Sequence, residues 1–128
     1  MNIGEAAKAV GITAKMIRYY EQIELLPAAQ RTDAGYRIYS ATDLESLAFI
    51  KRARDLGFSL ERIKLLLQLW HQDDRQSADV KALAQQYLAE LDKNIEQLQQ
   101  MRNQLAQWID SCHGDARAEC SILNGLTN

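Results

Sequence analysis

SADVKALAQQYLAELDKNIEQLQQMRNQLAQWI, residues 77–109, carries apolar side chains at helical spacing: Val80, Ala84, Tyr87, Leu88, Leu91, Ile95, Leu98, Met101, Leu105, Trp108 and Ile109. Ala84, Leu91, Leu98 and Leu105 fall seven apart, with Tyr87, Leu88, Ile95 and Met101 between them; Gln, Glu, Lys, Asp and Arg fill the other faces. That is an a/d-like seam. Neither Pro nor Gly interrupts it, and about thirty residues at 1.5 Å rise make a rod of roughly 45 Å. A small domain has nothing of that length to cover a single apolar stripe, and no later segment is long enough to pair with it. The economical cover is a partner chain. Residues 77–109 are therefore read as a dimerisation helix, with Ala84, Tyr87, Leu91, Leu98 and Leu105 on its contact face. The alternative is one long helix of an intramolecular bundle.

The rest of the composition frames that rod. The chain has 128 residues, a formal net charge of -2, a pI near 5.7, 47% apolar residues and a mean hydropathy of -0.35. This is one domain's length plus an extension. No apolar run approaches the ~18 residues of a membrane span. The opening lacks a basic segment followed by an apolar core, so no secretory signal is expected. Cys112 and Cys120 are then expected as thiols in a reducing cytoplasm. Charge is uneven: residues 1–54 carry +2 and residues 55–128 carry -4. A basic front on an acidic back suits a nucleic-acid reader joined to something else.

Working back from the rod, residues 71–76 (HQDDRQ) form a polar linker, in which His71 is read as solvated, and residues 1–70 form the reader. Ile3 to Val10 is a short amphipathic helix, Gly11 supplies its closing turn, and Thr13 caps a second helix from Ala14 to about Ile23. Helix, short Gly turn, helix is the spacing of a helix-turn-helix, whose second helix enters the major groove. Lys15 and Arg18 lie on its first turns, with Tyr19 and Tyr20 behind them. After Pro27, Arg31 to Tyr39 reads as a small hairpin around Asp33-Ala34-Gly35. Arg31, Tyr36, Arg37 and Tyr39 decorate it, suiting phosphate and sugar contacts; at least one of Tyr36, Ile38 and Tyr39 must pin this wing to the core. Ser40 or Thr42 caps a helix reaching about Leu56, and Ser59 caps another with Leu60, Ile63, Leu66, Leu67 and Trp70 inward. These last two are read as support, with Arg54 as a backbone contact. No paired carboxylates or nucleophile–base arrangement point to an enzyme.

Beyond the rod, residues 110–128 hold a loop and a short terminal helix beginning near Ser121. Cys112 and Cys120 bracket seven residues that include Gly114. Soft thiolates select Cu(I), Zn or Fe–S. Two Cys and one adjacent His fall short of a closed zinc tetrahedron, whereas two thiolates alone fit a two-coordinate monovalent ion: Cu(I), Ag(I) or Au(I). A redox disulfide and a pair of inert thiols remain open alternatives.

Several spaced motifs together resemble the MerR family of transcription regulators across nearly the whole chain. They are the opening Met1-Asn-Ile-Gly-Glu-Ala-Ala7, Lys15-Met-Ile-Arg-Tyr-Tyr-Glu21, Arg31-x-x-x-Gly-Tyr-Arg-x-Tyr39 and Arg54-x-x-Gly-Phe-Ser-Leu60. The segment from Cys112 to Cys120 resembles the metal loop of the copper-, silver- and gold-responsive CueR/GolS branch. Ser77 matches that branch too, standing where divalent-metal branches carry a third cysteine. The resemblance implies a mainly α fold: a winged helix-turn-helix head with a small β-hairpin wing, a long antiparallel coiled-coil helix and a C-terminal metal-binding loop. It implies Cys112 and Cys120 as ligands of Cu(I), Ag(I) or Au(I), with Ser77 and His113 close by.

It also implies a homodimer on double-stranded promoter DNA. Metal binding would bias that dimer toward a state that bends and untwists an overlong promoter spacer, so that RNA polymerase engages both elements. Thiol-disulfide sensing on the same scaffold is one alternative, and copper trafficking without DNA is another. Two departures stand out. His113 follows the first Cys where relatives have Pro or Ala, and is expected to point outward. Glu24 replaces a Gly that would cap the recognition helix in a left-handed conformation. Glu pays about 1 kcal/mol there, so the helix is expected to end differently.

Overall fold

The computed structural model describes residues 1–27 and 29–127. Its elements run α1 (Ile3–Val10), α2 (Ala14–Gln22), β1 (Gln30–Arg31), β2 (Arg37–Ile38), α3 (Ala41–Asp55), α4 (Leu60–Trp70), α5 (Ser77–Ser111) and α6 (Ser121–Thr127). The chain divides into two compact units, Met1–Leu83 and Ala84–Asn128. No described helix is long and apolar enough to cross a membrane.

In the first unit each short helix is started by a side chain that satisfies its free N–H groups. Asn2 and Glu5 form a reciprocal capping box on α1, and Ser40 and Asp43 form one on α3. The Thr13 hydroxyl accepts from Met16 N at 3.1 Å, and the Ser59 hydroxyl from Arg62 N at 3.2 Å. Ser40, not Thr42, is thus the α3 cap. Ala6, Ile17, Leu26, Leu47, Ile50 and Ile63 are fully or almost fully buried where α1 to α4 meet. The wing is a two-stranded antiparallel hairpin pairing Gln30 with Ile38 and Arg31 with Arg37. Its turn is closed by Gly35 N donating to Thr32 O at 2.8 Å and Arg31 Nη1 donating to Gly35 O at 2.8 Å.

The recognition helix α2 ends as a Gly-capped helix would, against expectation. Ile23 is the C-cap and Glu24 itself sits at φ 61°. Leu25 N and Leu26 N both donate to Tyr20 O, at 2.9 and 3.2 Å. These bonds, with burial of Leu25 and Leu26, hold Glu24 in a conformation that an L side chain resists. Glu24→Gly is expected to raise the unfolding free energy by about 1 kcal/mol, read as a higher midpoint in urea with unchanged slope.

The long helix starts at Ser77 as expected and runs two residues past Ile109. Its seam is open to solvent: Leu88, Ile95, Leu98, Met101, Leu105 and Ile109 are 49–62% exposed. Ala84 is exposed, and Tyr87 and Leu91 are half-buried. So much exposed apolar surface along one stripe does not match the intramolecular-bundle alternative. Past Ser111 the chain turns back through residues 112–120 into α6, where the Ser121 hydroxyl donates to the Trp108 carbonyl.

Candidate DNA-facing surface and metal centre

On the head, α2 and the wing gather the basic residues. Lys15 and Arg18 are exposed on α2, Arg31 and Tyr36 on the wing, and Arg54 in the last turn of α3. Tyr19 is 41% exposed and Tyr36 71%. Arg18, Arg31 and Arg37 share one shallow concavity of about 390 Å³ with Glu21, Gln22 and Ala29. Guanidinium groups grouped in this way are suited to phosphate oxygens.

Two expected contact residues are corrected. Tyr20 and Tyr39 are only 3% and 2% exposed. Tyr20 lies on the inner face of α2, with its ring centroid 6.1 Å from that of Tyr19. Tyr39 follows β2, donates its hydroxyl to Glu21 Oε1, and donates its backbone N–H to Met1 O at 2.7 Å. It is the residue that pins the wing.

Burial, followed by the Glu21 hydrogen bond and charge, pushes the Tyr39 phenol from its ordinary 10.0 up to about 12. A raised tyrosine pKa means that the fold favours the neutral ring. This contribution is whole below pH 10 and is lost as pH climbs from 10 toward 12. The wild-type protein should therefore lose stability over that interval more steeply than Tyr39→Phe, as measured by denaturant unfolding at stepped pH.

In the second unit, Cys112 follows the last residue of α5 and Cys120 immediately precedes α6. Both are free thiols, half-buried, with Sγ atoms 3.5 Å apart. The backbone N–H of Leu123 first, then the Cys112 thiol and the backbone N–H of Ile122, lower the Cys120 pKa below its ordinary value. The turn between the cysteines is braced by Asp115, which accepts from Arg117 N and Nε at 2.9 Å each and pairs with Nη2 at 2.8 Å. These bonds hold the Asp115 carboxyl below its usual value. His113 is exposed. Among the described residues no three or more His, Cys, Asp or Glu side chains converge on a metal position. A donor set of two close thiols fits a soft, low-coordinate ion. Ser77 is the first residue of α5, and Cys112 follows its last.

Gly125 lets α6 approach the Trp108 ring closely. A Cβ built there would lie 2.7 Å from Trp108 Nε1, with the ring carbons closer still. Only a residue without a side chain lets α6 lie on the indole. Gly125→Ala is expected to unseat α6 at a cost of about 1–3 kcal/mol. Amide exchange should quicken over residues 121–127 while α1–α4 exchange as before.

Two family profiles match the chain: the MerR HTH family regulatory protein over residues 1–70, and the MerR DNA-binding region over residues 44–108. An HTH-type transcriptional regulator of Pseudomonas aeruginosa is 55% identical over 128 residues, covering 100% of this chain and 97% of that protein. The heavy metal-dependent transcription regulator 2 of Rhizobium meliloti is 50% identical, covering 100% and 87%. CueR of Yersinia pestis is 44% identical, covering 98% and 91%. Among solved structures, a lead(II)-bound transcription regulator of Ralstonia metallidurans superposes with a TM-score of 0.87 at 31% identity, covering 98% of both chains. MerR-family regulators bind promoter DNA as homodimers and contact RNA polymerase. With its head, wing, long helix and terminal thiol loop all accounted for, this chain belongs to the MerR family of DNA-binding transcription regulators.

Proposed function

We propose that this metal-responsive regulator answers a soft monovalent ion, Cu(I), Ag(I) or Au(I), bound by Cys112 and Cys120. The observation that carries the reading is the pair of half-buried thiols with Sγ atoms 3.5 Å apart and, among the described residues, no third His, Cys, Asp or Glu converging on them. Bound there, the ion would bridge the end of α5 to the start of α6 and leave the unit a charge near -1. The N–H groups of Ile122 and Leu123 face that charge. Lys15, Arg18, Arg31, Tyr36, Arg37 and Arg54, with Tyr19, hold the promoter. The open α5 seam pairs two copies. In an antiparallel pair, Ser77 of one copy comes level with the thiols of the other, giving Ser77 and His113 their expected place near the ion. The likeness to CueR supports the choice of a monovalent metal.

Activation then rests on differential affinity. The ion shifts the dimer only by as much as it binds the DNA-distorting state better than the resting one. Bending and untwisting a site costs of order 1–6 kcal/mol on elastic estimates, which sets the coupling required. X-ray absorption on the Cu(I)-loaded protein tests the site: two sulfur ligands support the reading, and four ligands around a dication overturn it. The closeness of the thiols and the lowered Cys120 pKa also favour a second reading, oxidation to a disulfide. Anaerobic Cu(I) and an oxidant, each added to in vitro transcription, separate the two. Membership of a DNA-binding family argues against copper trafficking without DNA.

A further inference from the structure

We infer that Glu21 is a positioning residue for DNA binding, resting on the DNA-binding reading above. Its buried carboxylate ties the wing to the recognition helix and aims Arg37 at a phosphate. Glu21 closes the last turn of α2 with its side chain 8% exposed. A carboxylate so covered is costly unless it is paired. Both of its partners come from the wing: Oε1 receives the Tyr39 hydroxyl, and Oε2 lies 3.7 Å from Arg37 Nε. Tyr39 and Arg37 are two residues apart on the same extended segment, so one carboxylate sets the position of both.

The consequence for Arg37 is directional. Its Nε edge faces Glu21, while buried Nη1 finds no acceptor among the described residues. A planar guanidinium held along one edge presents its other donors in a fixed plane, which a free arginine does not. Arg18 lies one turn before Glu21 on α2, and Arg31 is paired with Arg37 in the hairpin register. All three arginines border the concavity above the carboxylate. Three cations around one buried anion leave a net positive recess.

Simple electrostatics and positioning make opposite forecasts. Glu21→Gln removes a negative charge near DNA, so by charge alone it tightens binding. By positioning it weakens binding, because Arg37 loses its aim. The test uses a duplex selected from a random pool by the wild-type protein, with affinity measured across a salt series for wild type, Glu21→Gln, Arg37→Ala, Tyr39→Phe and the double variants. With two heads per dimer, Glu21→Gln is expected to bind at least about tenfold more weakly and to lower the log–log salt slope by about 1.8. Arg37→Ala should match it, and Glu21→Gln/Arg37→Ala should be no weaker than Arg37→Ala. Wild-type or tighter binding by Glu21→Gln overturns the inference, as does a loss that persists undiminished in the Arg37→Ala background. If Glu21→Gln does not fold, Tyr39→Phe carries the test: it keeps the carboxylate, and should weaken binding only where Arg37 is present. Wild-type affinity in Arg37→Ala would instead remove the wing from the DNA-binding reading, and the inference with it.

Discussion

Cys112→Ser or Cys120→Ser is expected to abolish metal-induced transcription and to leave promoter binding intact. Each substitution removes one of only two soft donors, and a hydroxyl does not replace a thiolate toward a monovalent soft ion. The DNA-facing set lies within residues 15–54, in the first compact unit, while the thiols lie in the second. Transcription from a regulated promoter under Cu(I) should fall to its uninduced level in either variant. Gel-shift affinity without metal should equal wild type. Retained induction in both variants would refute the metal reading.

The second large effect is on assembly. Leu91→Lys with Leu98→Lys keeps good helix formers in α5 but places two ammonium groups on the seam of each chain. Fully burying one leucine is worth about 1.5–3 kcal/mol, so four lost leucines per dimer weaken self-association by at least about a hundredfold. Sedimentation should show a monomer whose circular dichroism still reports the head helices. Promoter binding should fall with it, because two half-sites one turn apart need both heads. A dimer that survives the double substitution would show that the seam is not the interface.

The periodic parts of this fold were legible from residue order. Heptad spacing marked α5 to within two residues, and Thr and Ser caps marked α2, α3 and α4, because both signals are local. The errors arose where a side chain's surroundings are set by distant chain. Tyr20 and Tyr39 carry the same chemistry as Tyr19 and Tyr36, and only the packing of α2 against the wing decides which rings face out. Glu24 was expected to divert the end of α2. The bonds from Leu25 and Leu26 to Tyr20 O outweigh a local cost near 1 kcal/mol. Glu21 was hidden by the arginines and tyrosines around it. Gly125 had a signal that went unused: a glycine inside a helix often marks a close approach.

The indole beneath α6 gives the protein an optical reporter of its own. The chain has two tryptophans. Trp70 stacks on Phe49 in the head with centroids 4.8 Å apart, and Trp108 lies under Gly125 of the terminal helix. With Trp70 exchanged for Phe, emission from the remaining ring will follow the seating of the terminal turn as soft metal is added, with no dye attached.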